Sequence, residues 1–133
     1  NRIPAAVMAQ PVGWRPEMSD PKYPGAFWRN WGTTLVAKRA EVGLQTTDQF
    51  TTRMFETNPD FLFTVTRDFI RSCQNPILVL PDDVPAHPLA VAMECAMLAP
   101  KSEVSIFPWK QPPERIPLAV HQIHSFLKAH RPA

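Results

Sequence analysis

The sequence predicts an α/β protein, and three observations support that class. Ile77-Leu78-Val79-Leu80 is an unbroken run of branched apolar residues, the mark of a strand buried on both faces. Val104-Ser105-Ile106-Phe107 is a second short strand-forming run, and Pro88 to about Ala99 between them has the length and apolar character of a buried helix. From Glu114 to His130 the pattern is helical again, with Ile116, Val120, Ile123 and Leu127 on one face. Strand, helix, strand, helix in alternation predicts a parallel sheet covered by helices.

The elements before this ending follow in order. Ile3 to Gln10 is a short apolar run stopped by Pro11 and Gly13, and it suits a strand. Pro11 to Gly25 holds prolines 11, 16, 21 and 24 and is expected to be a loop. Residues 26–72 show helical spacing in three segments. In the first, Trp28, Trp31 and Leu35 share a side and Gly43 is the expected stop. In the second, Thr47 stands as an N-cap before Phe50, Met54 and Phe55. In the third, Asn58 caps a helix that Pro59 opens, with Phe61, Val65 and Phe69 on its apolar face up to Ser72. The organisation is therefore a strand and exit loop over 1–13, a helical cap-like region over 14–74, and a C-terminal α/β portion over 75–133.

Composition sets outer bounds. A chain of 133 residues with 44% hydrophobic and 20% charged residues has enough apolar material for a core, which argues against disorder. Net charge is only +2 and the basic residues are scattered, so no nucleic-acid footprint is expected. The longest mainly apolar run, Pro88 to Pro100, is interrupted by Glu94 and is too short to span a bilayer. The opening residues lack a signal-peptide pattern, and Cys73 and Cys95 are too few for a disulfide scaffold. Reduced thiols in a cytoplasmic protein are the expectation. Sixteen prolines against 4 glycines make proline the chief punctuation of loops and helix starts.

Only about three strands are available, 3–10, 77–80 and 104–107, and a sheet of that size leaves edges to cover. The expectation is a partial sheet that associates with another copy of the chain or with a missing N-terminal part of the same protein.

The order of elements resembles the C-terminal part of the α/β-hydrolase superfamily. NRIPAAVMAQPVG is similar to the strand that leaves for the cap, and residues 26–72 look like the cap. NPILVLPDDVPAHP is similar to the strand and loop bearing the acid of the catalytic triad. APKSEVSIFPWKQPPERIPLAVHQIHSFLKAH looks like the last strand, the histidine loop and the final helix. The resemblance implies a hydrolase scaffold, with Asp82 or Asp83 at the acid position. Two departures count against activity in this chain. There is no G-x-S-x-G nucleophile elbow, and the loop Pro108-Trp109-Lys110-Gln111-Pro112-Pro113 has no histidine.

Among single residues, Asp82 and Asp83 are the candidate acids, with strand-end turn chemistry as the plainer reading. His87 lies close behind them and is the candidate replacement base. Trp28, Trp31 and Trp109 are the candidates for the walls of an apolar pocket. His121 and His124 have a spacing that metals use but lack a third ligand nearby, so neither metal nor cofactor is expected. The functional expectation is a hydrolase of unknown substrate in the full-length parent, inactive as this chain. The alternative is a non-catalytic module on the same scaffold that binds an apolar small molecule or another protein chain.

Overall fold

A computed structural model describes residues 3–15, 23–39 and 41–131. The elements run β1 (Ala6–Ala9), α1 (Tyr23–Lys38), α2 (Leu44–Thr51), α3 (Arg67–Ser72), β2 (Ile77–Leu80), α4 (Leu89–Leu98), β3 (Ser102–Val104) and α5 (Ile116–Ala129). A π-helical segment, Thr52–Glu56, prolongs α2, and a 3₁₀ turn, Pro113–Arg115, precedes α5.

The sheet has three parallel strands in the order β1-β2-β3. All four residues of β2 are buried, as a continuous apolar run in the middle of a covered sheet requires. Their side chains alternate between two cores. Ile77 and Val79 join Phe61, Ile70, Val91, Ala92 and Cys95 under α3 and α4. Leu78 and Leu80 join Phe126 of α5, with Val7, Trp109 and Ile123 packed around them. The protein is thus mixed helix and strand, with helices on both faces of a small parallel sheet. No helix among the described residues is long and apolar enough to cross a membrane.

Several boundaries differ from expectation. The third strand is Ser102–Val104, not 104–107. Its last ladder bond runs from the Ser105 amide to the Val79 carbonyl at 2.9 Å. The next stretch of β2 ends at Pro81, which has no N–H to give, so Ile106 and Phe107 leave the sheet and are exposed. In α5 the inner stripe is Ala119 and Phe126, both buried, with Ile123 partly buried between them, while Ile116, Val120 and Leu127 are exposed. Two apolar stripes overlap at Ile123, and the bulk of Phe126 against Leu78 and Leu80 selects the one that docks.

The helical region also departs from the expected pattern. Helix α1 starts at Tyr23 and stops at Lys38 rather than Gly43, which instead precedes α2 as its N-cap residue. Thr47 is therefore inside α2, where its hydroxyl donates to the Leu44 carbonyl at 2.8 Å. The expected helix from Asn58 to Ser72 is present only as α3, capped by Thr66, whose side chain accepts from the Phe69 amide at 3.1 Å. Phe61 and Phe63 adopt left-handed backbone, φ 46° and 57°, which a helix does not permit. Burial of both rings offsets that cost. Phe69, expected on the apolar face, is exposed. Residues 16–22 of the proline-rich loop lie outside the described residues.

Three contacts join the parts. A Cβ on Gly13 would lie 2.4 Å from both the Phe61 carbonyl and Val91 Cγ1, so only glycine fits where the chain leaves the sheet. Phe55 of the π segment meets Phe63 edge-on, with ring centroids 5.4 Å apart. Arg67 bridges α3 to α4 by donating to Glu94 and Asp60 across 2.5 and 2.6 Å. Both cysteines are free thiols, and burial together with neighbouring Cys73 and Glu94 pushes the Cys95 thiol up to about 11.

Candidate functional site

The three parallel strands deliver their carboxyl ends to one edge, the place where open α/β sheets bind ligands. Gln10 follows β1, Asp82 follows β2, and Lys110 lies in the loop after β3. Their side chains converge. Gln10 Nε2 and Lys110 Nζ both donate to Asp82 Oδ2 at 2.5 Å, and the Asp83 amide donates to Oδ1 at 2.9 Å. Gln10 reaches this point because its backbone is left-handed, φ 52°, and turns the chain out of β1 after its amide has bonded the Leu80 carbonyl.

The loop carrying Lys110 is fixed by its neighbour. Trp109 Nε1 donates to the Pro81 carbonyl at 2.8 Å, and its ring packs into the core beneath Leu78 and Leu80. Lys110 Nζ also lies 5.5 Å from the centroid of that ring. The Asp82 carboxylate is mostly buried. Burial alone raises a carboxyl pKa, but the hydrogen bonds from Lys110, Gln10 and the Asp83 amide outweigh it and hold Asp82 below the ordinary carboxylate value. Both oxygens of this group are engaged. A triad acid hydrogen bonds an imidazole and so orients the base; here an ammonium and an amide take that position.

The other candidate residues of this edge are not assembled with it. Asp83 is exposed. His87 closes a tight turn, its amide donating to the Val84 carbonyl at 2.8 Å. Its Nδ1 is buried without a partner among the described residues, and its ring makes no bond to Asp82 or Asp83. The expected grouping of Asp82, Asp83 and His87 is thus replaced by Gln10, Asp82 and Lys110. Trp109, expected to line a pocket with Trp28 and Trp31, is partly buried against Leu78 and Leu80 and holds a loop.

Trp28 and Trp31 do line a cavity, in a different part of the molecule. It lies between α1 and α2, has a volume of about 250 Å³, and is walled by the two tryptophans with Leu35, Val42, Phe50 and Thr51. The wall is almost wholly apolar. Thr51 and Thr47, which also line it, donate their hydroxyls to the Thr47 and Leu44 carbonyls of their own helix, leaving little to bond a polar guest. The tryptophans are held by rings: Trp28 meets Trp31 edge-on at 5.3 Å and stacks on Phe55 at 6.1 Å. Helix α1 is pinned to its neighbour by Arg29, which donates to Asp48 at 2.7 Å, to Thr52 at 3.0 Å and to Glu56. A second cleft of about 410 Å³ shares Thr46 and Phe50 with the cavity and is completed by Gln49, Arg53, Met54 and Thr64. Arg53 and Met54 belong to the π segment, a departure from α geometry that often marks a functional site.

Sequence reasoning missed Gln10, Lys110 and Arg53. Position after a strand was a usable signal for the first two, since all three strand ends of a parallel sheet meet at one edge. Compared with protein-family models, curated proteins and solved structures, the chain has no match.

Proposed function

We propose that this chain is an α/β-hydrolase-like C-terminal portion that works as a binding module for an apolar small molecule and not as a hydrolase. The observation that carries the reading is the aromatic cavity between α1 and α2, lined by Trp28, Trp31 and Phe50 and nearly free of polar surface. Its position in the helical insertion between β1 and β2 is where the resemblance puts a cap over a ligand. The element order strand, helical insertion, strand, helix, strand, loop and helix supports the scaffold. The state of Asp82 supports the loss of chemistry: its carboxylate is bonded to Lys110 and Gln10, where a triad needs it bonded to a histidine.

The test has two arms. The neutral fluorophore N-phenyl-1-naphthylamine is expected to bind the full chain saturably, and Leu35→Trp, which fills the cavity, is expected to abolish that binding. Turnover of p-nitrophenyl acetate is expected to equal the buffer background and to be unchanged by Asp82→Ala with Asp83→Ala. Absence of saturable binding sinks the binding reading, and ester hydrolysis lost in the double variant would restore a catalytic one.

A further inference from the structure

We infer that the ligand of this cavity is an amphipathic carboxylate, whose tail enters between α1 and α2 and whose anionic head is met by Arg53. The inference rests on the apolar-binding function proposed above and adds the chemistry of the ligand's polar end. The cavity and the outer cleft share Thr46 and Phe50 in their walls, so the more polar cleft that holds Arg53 borders the apolar interior. The 250 Å³ interior takes a medium-length alkyl chain or an aromatic ring, and a larger guest such as N-phenyl-1-naphthylamine extends over the adjoining 410 Å³ cleft.

The mouth selects charge. Arg53 is its cation, on an exposed turn of the π segment, and it has no carboxylate partner among the described residues. The neighbouring cation in this region is spent: Arg29 is bound to Asp48, Thr52 and Glu56. Asp48 and Glu56 are paired with Arg29, and Arg53 makes no ion pair with either, so its guanidinium can meet an incoming anion. A guanidinium presents a planar fork that matches a carboxylate in two hydrogen bonds. Gln49 and Thr64, on the same cleft, add neutral polar groups beside it. An alcohol of the same length fills the interior equally well but leaves the guanidinium to water, and an ammonium is repelled.

The experiment is displacement of N-phenyl-1-naphthylamine from the full chain at pH 8 by octanoate, octan-1-ol and octylamine. Octanoate is expected to displace it about fivefold more tightly than octanol, with octylamine weakest; the modest factor reflects an exposed charge pair. In Arg53→Gln the octanoate advantage is expected to vanish while octanol binding is unchanged, and Arg53→Lys is expected to restore part of it. Arg53 is exposed, so these variants leave the core untouched. Equal displacement by octanoate and octanol in the wild type overturns the inference but leaves the apolar site standing. An octanoate advantage that survives Arg53→Gln also overturns it. Failure of the fluorophore itself to bind removes both readings together.

Discussion

The sheet portion and the helical region use apolar residues in opposite ways. Around β2 the large side chains vanish from solvent: Leu78, Val79 and Leu80 are at most 1% exposed and sit in two cores. Between Tyr23 and Glu56 only Phe55 is buried among the described aromatics, while Phe27 is 54%, Trp31 48% and Phe50 51% exposed. There the contact between helices rests on Gly32 against Thr47 and on the ion pairs of Arg29, with the rings of Trp28, Phe55 and Phe63 linking it to the rest. The difference assigns the two parts different work. Burial holds the sheet portion, and incomplete burial leaves the helical region a cavity with an open mouth.

The sharpest way to break this comparison is to cut the sheet core. Leu78→Ala removes a side chain with no exposed surface, between β1 and β3, with Phe126 and Trp109 above it. The loss is expected to be about 3 kcal/mol, the transfer term plus a cavity that a three-strand sheet has little freedom to close. At roughly 4 °C per kcal/mol for a domain of this size, thermal unfolding followed by circular dichroism is expected to shift down by more than about 10 °C. A shift of only a few degrees places the core elsewhere.

This core was also the part most legible in the sequence. Ile77 to Leu80 is apolar at every position, as a strand covered on both faces requires, and all four are buried. Pro88 and Pro100 bracketed α4 because proline acts on the backbone directly. The rest needed information that local pattern does not hold. Phe61, Val65 and Phe69 have helical spacing, yet the pair the structure buries is Phe61 and Phe63, on left-handed backbone. Ile116, Val120 and Leu127 looked like the inner face of α5 until the ring of Phe126 chose another. At the site, Asp82 was legible by its place at a strand end, but its partners were not. Lys110 reaches it only because Trp109 is anchored on Pro81, a contact spanning the whole of α4 and β3.

A smaller effect is expected at the strand-end cluster, midway between buried and open. Lys110→Met keeps the stem of the side chain and removes the charge that Asp82 faces. Asp82 is largely buried but Lys110 is 40% exposed, so solvent screening keeps the cost to about 1 kcal/mol at pH 7. The pH dependence has a definite sign. The folded-state pKa of Asp82 lies below the ordinary value of 3.8, so its contribution is complete above that value and is lost as pH falls through the lower, folded one. Denaturant titrations are expected to show wild type and variant converging as pH drops below about 4. A gap that persists undiminished into acid means that Lys110 acts through packing on Trp109 and not through Asp82.

The smallest expected effect on stability is in the helical region, and it separates stability from binding. Trp31→Ala removes a residue of which nearly half is already in water and whose main ring contact is the edge-on meeting with Trp28. The area returned to solvent is small, so the expected loss is no more than about 1 kcal/mol, against about three times that for Leu78→Ala. The same change opens one wall of the 250 Å³ cavity, and N-phenyl-1-naphthylamine binding is expected to weaken several-fold. Both quantities are read on one sample, by unfolding and by fluorophore titration. Should Trp31→Ala destabilise as much as Leu78→Ala, the tryptophan is a core residue and the cavity is a packing defect of that core. Weakened binding on an intact fold is the pattern that a ligand site imposes, because there the protein has left surface uncovered for a guest to cover.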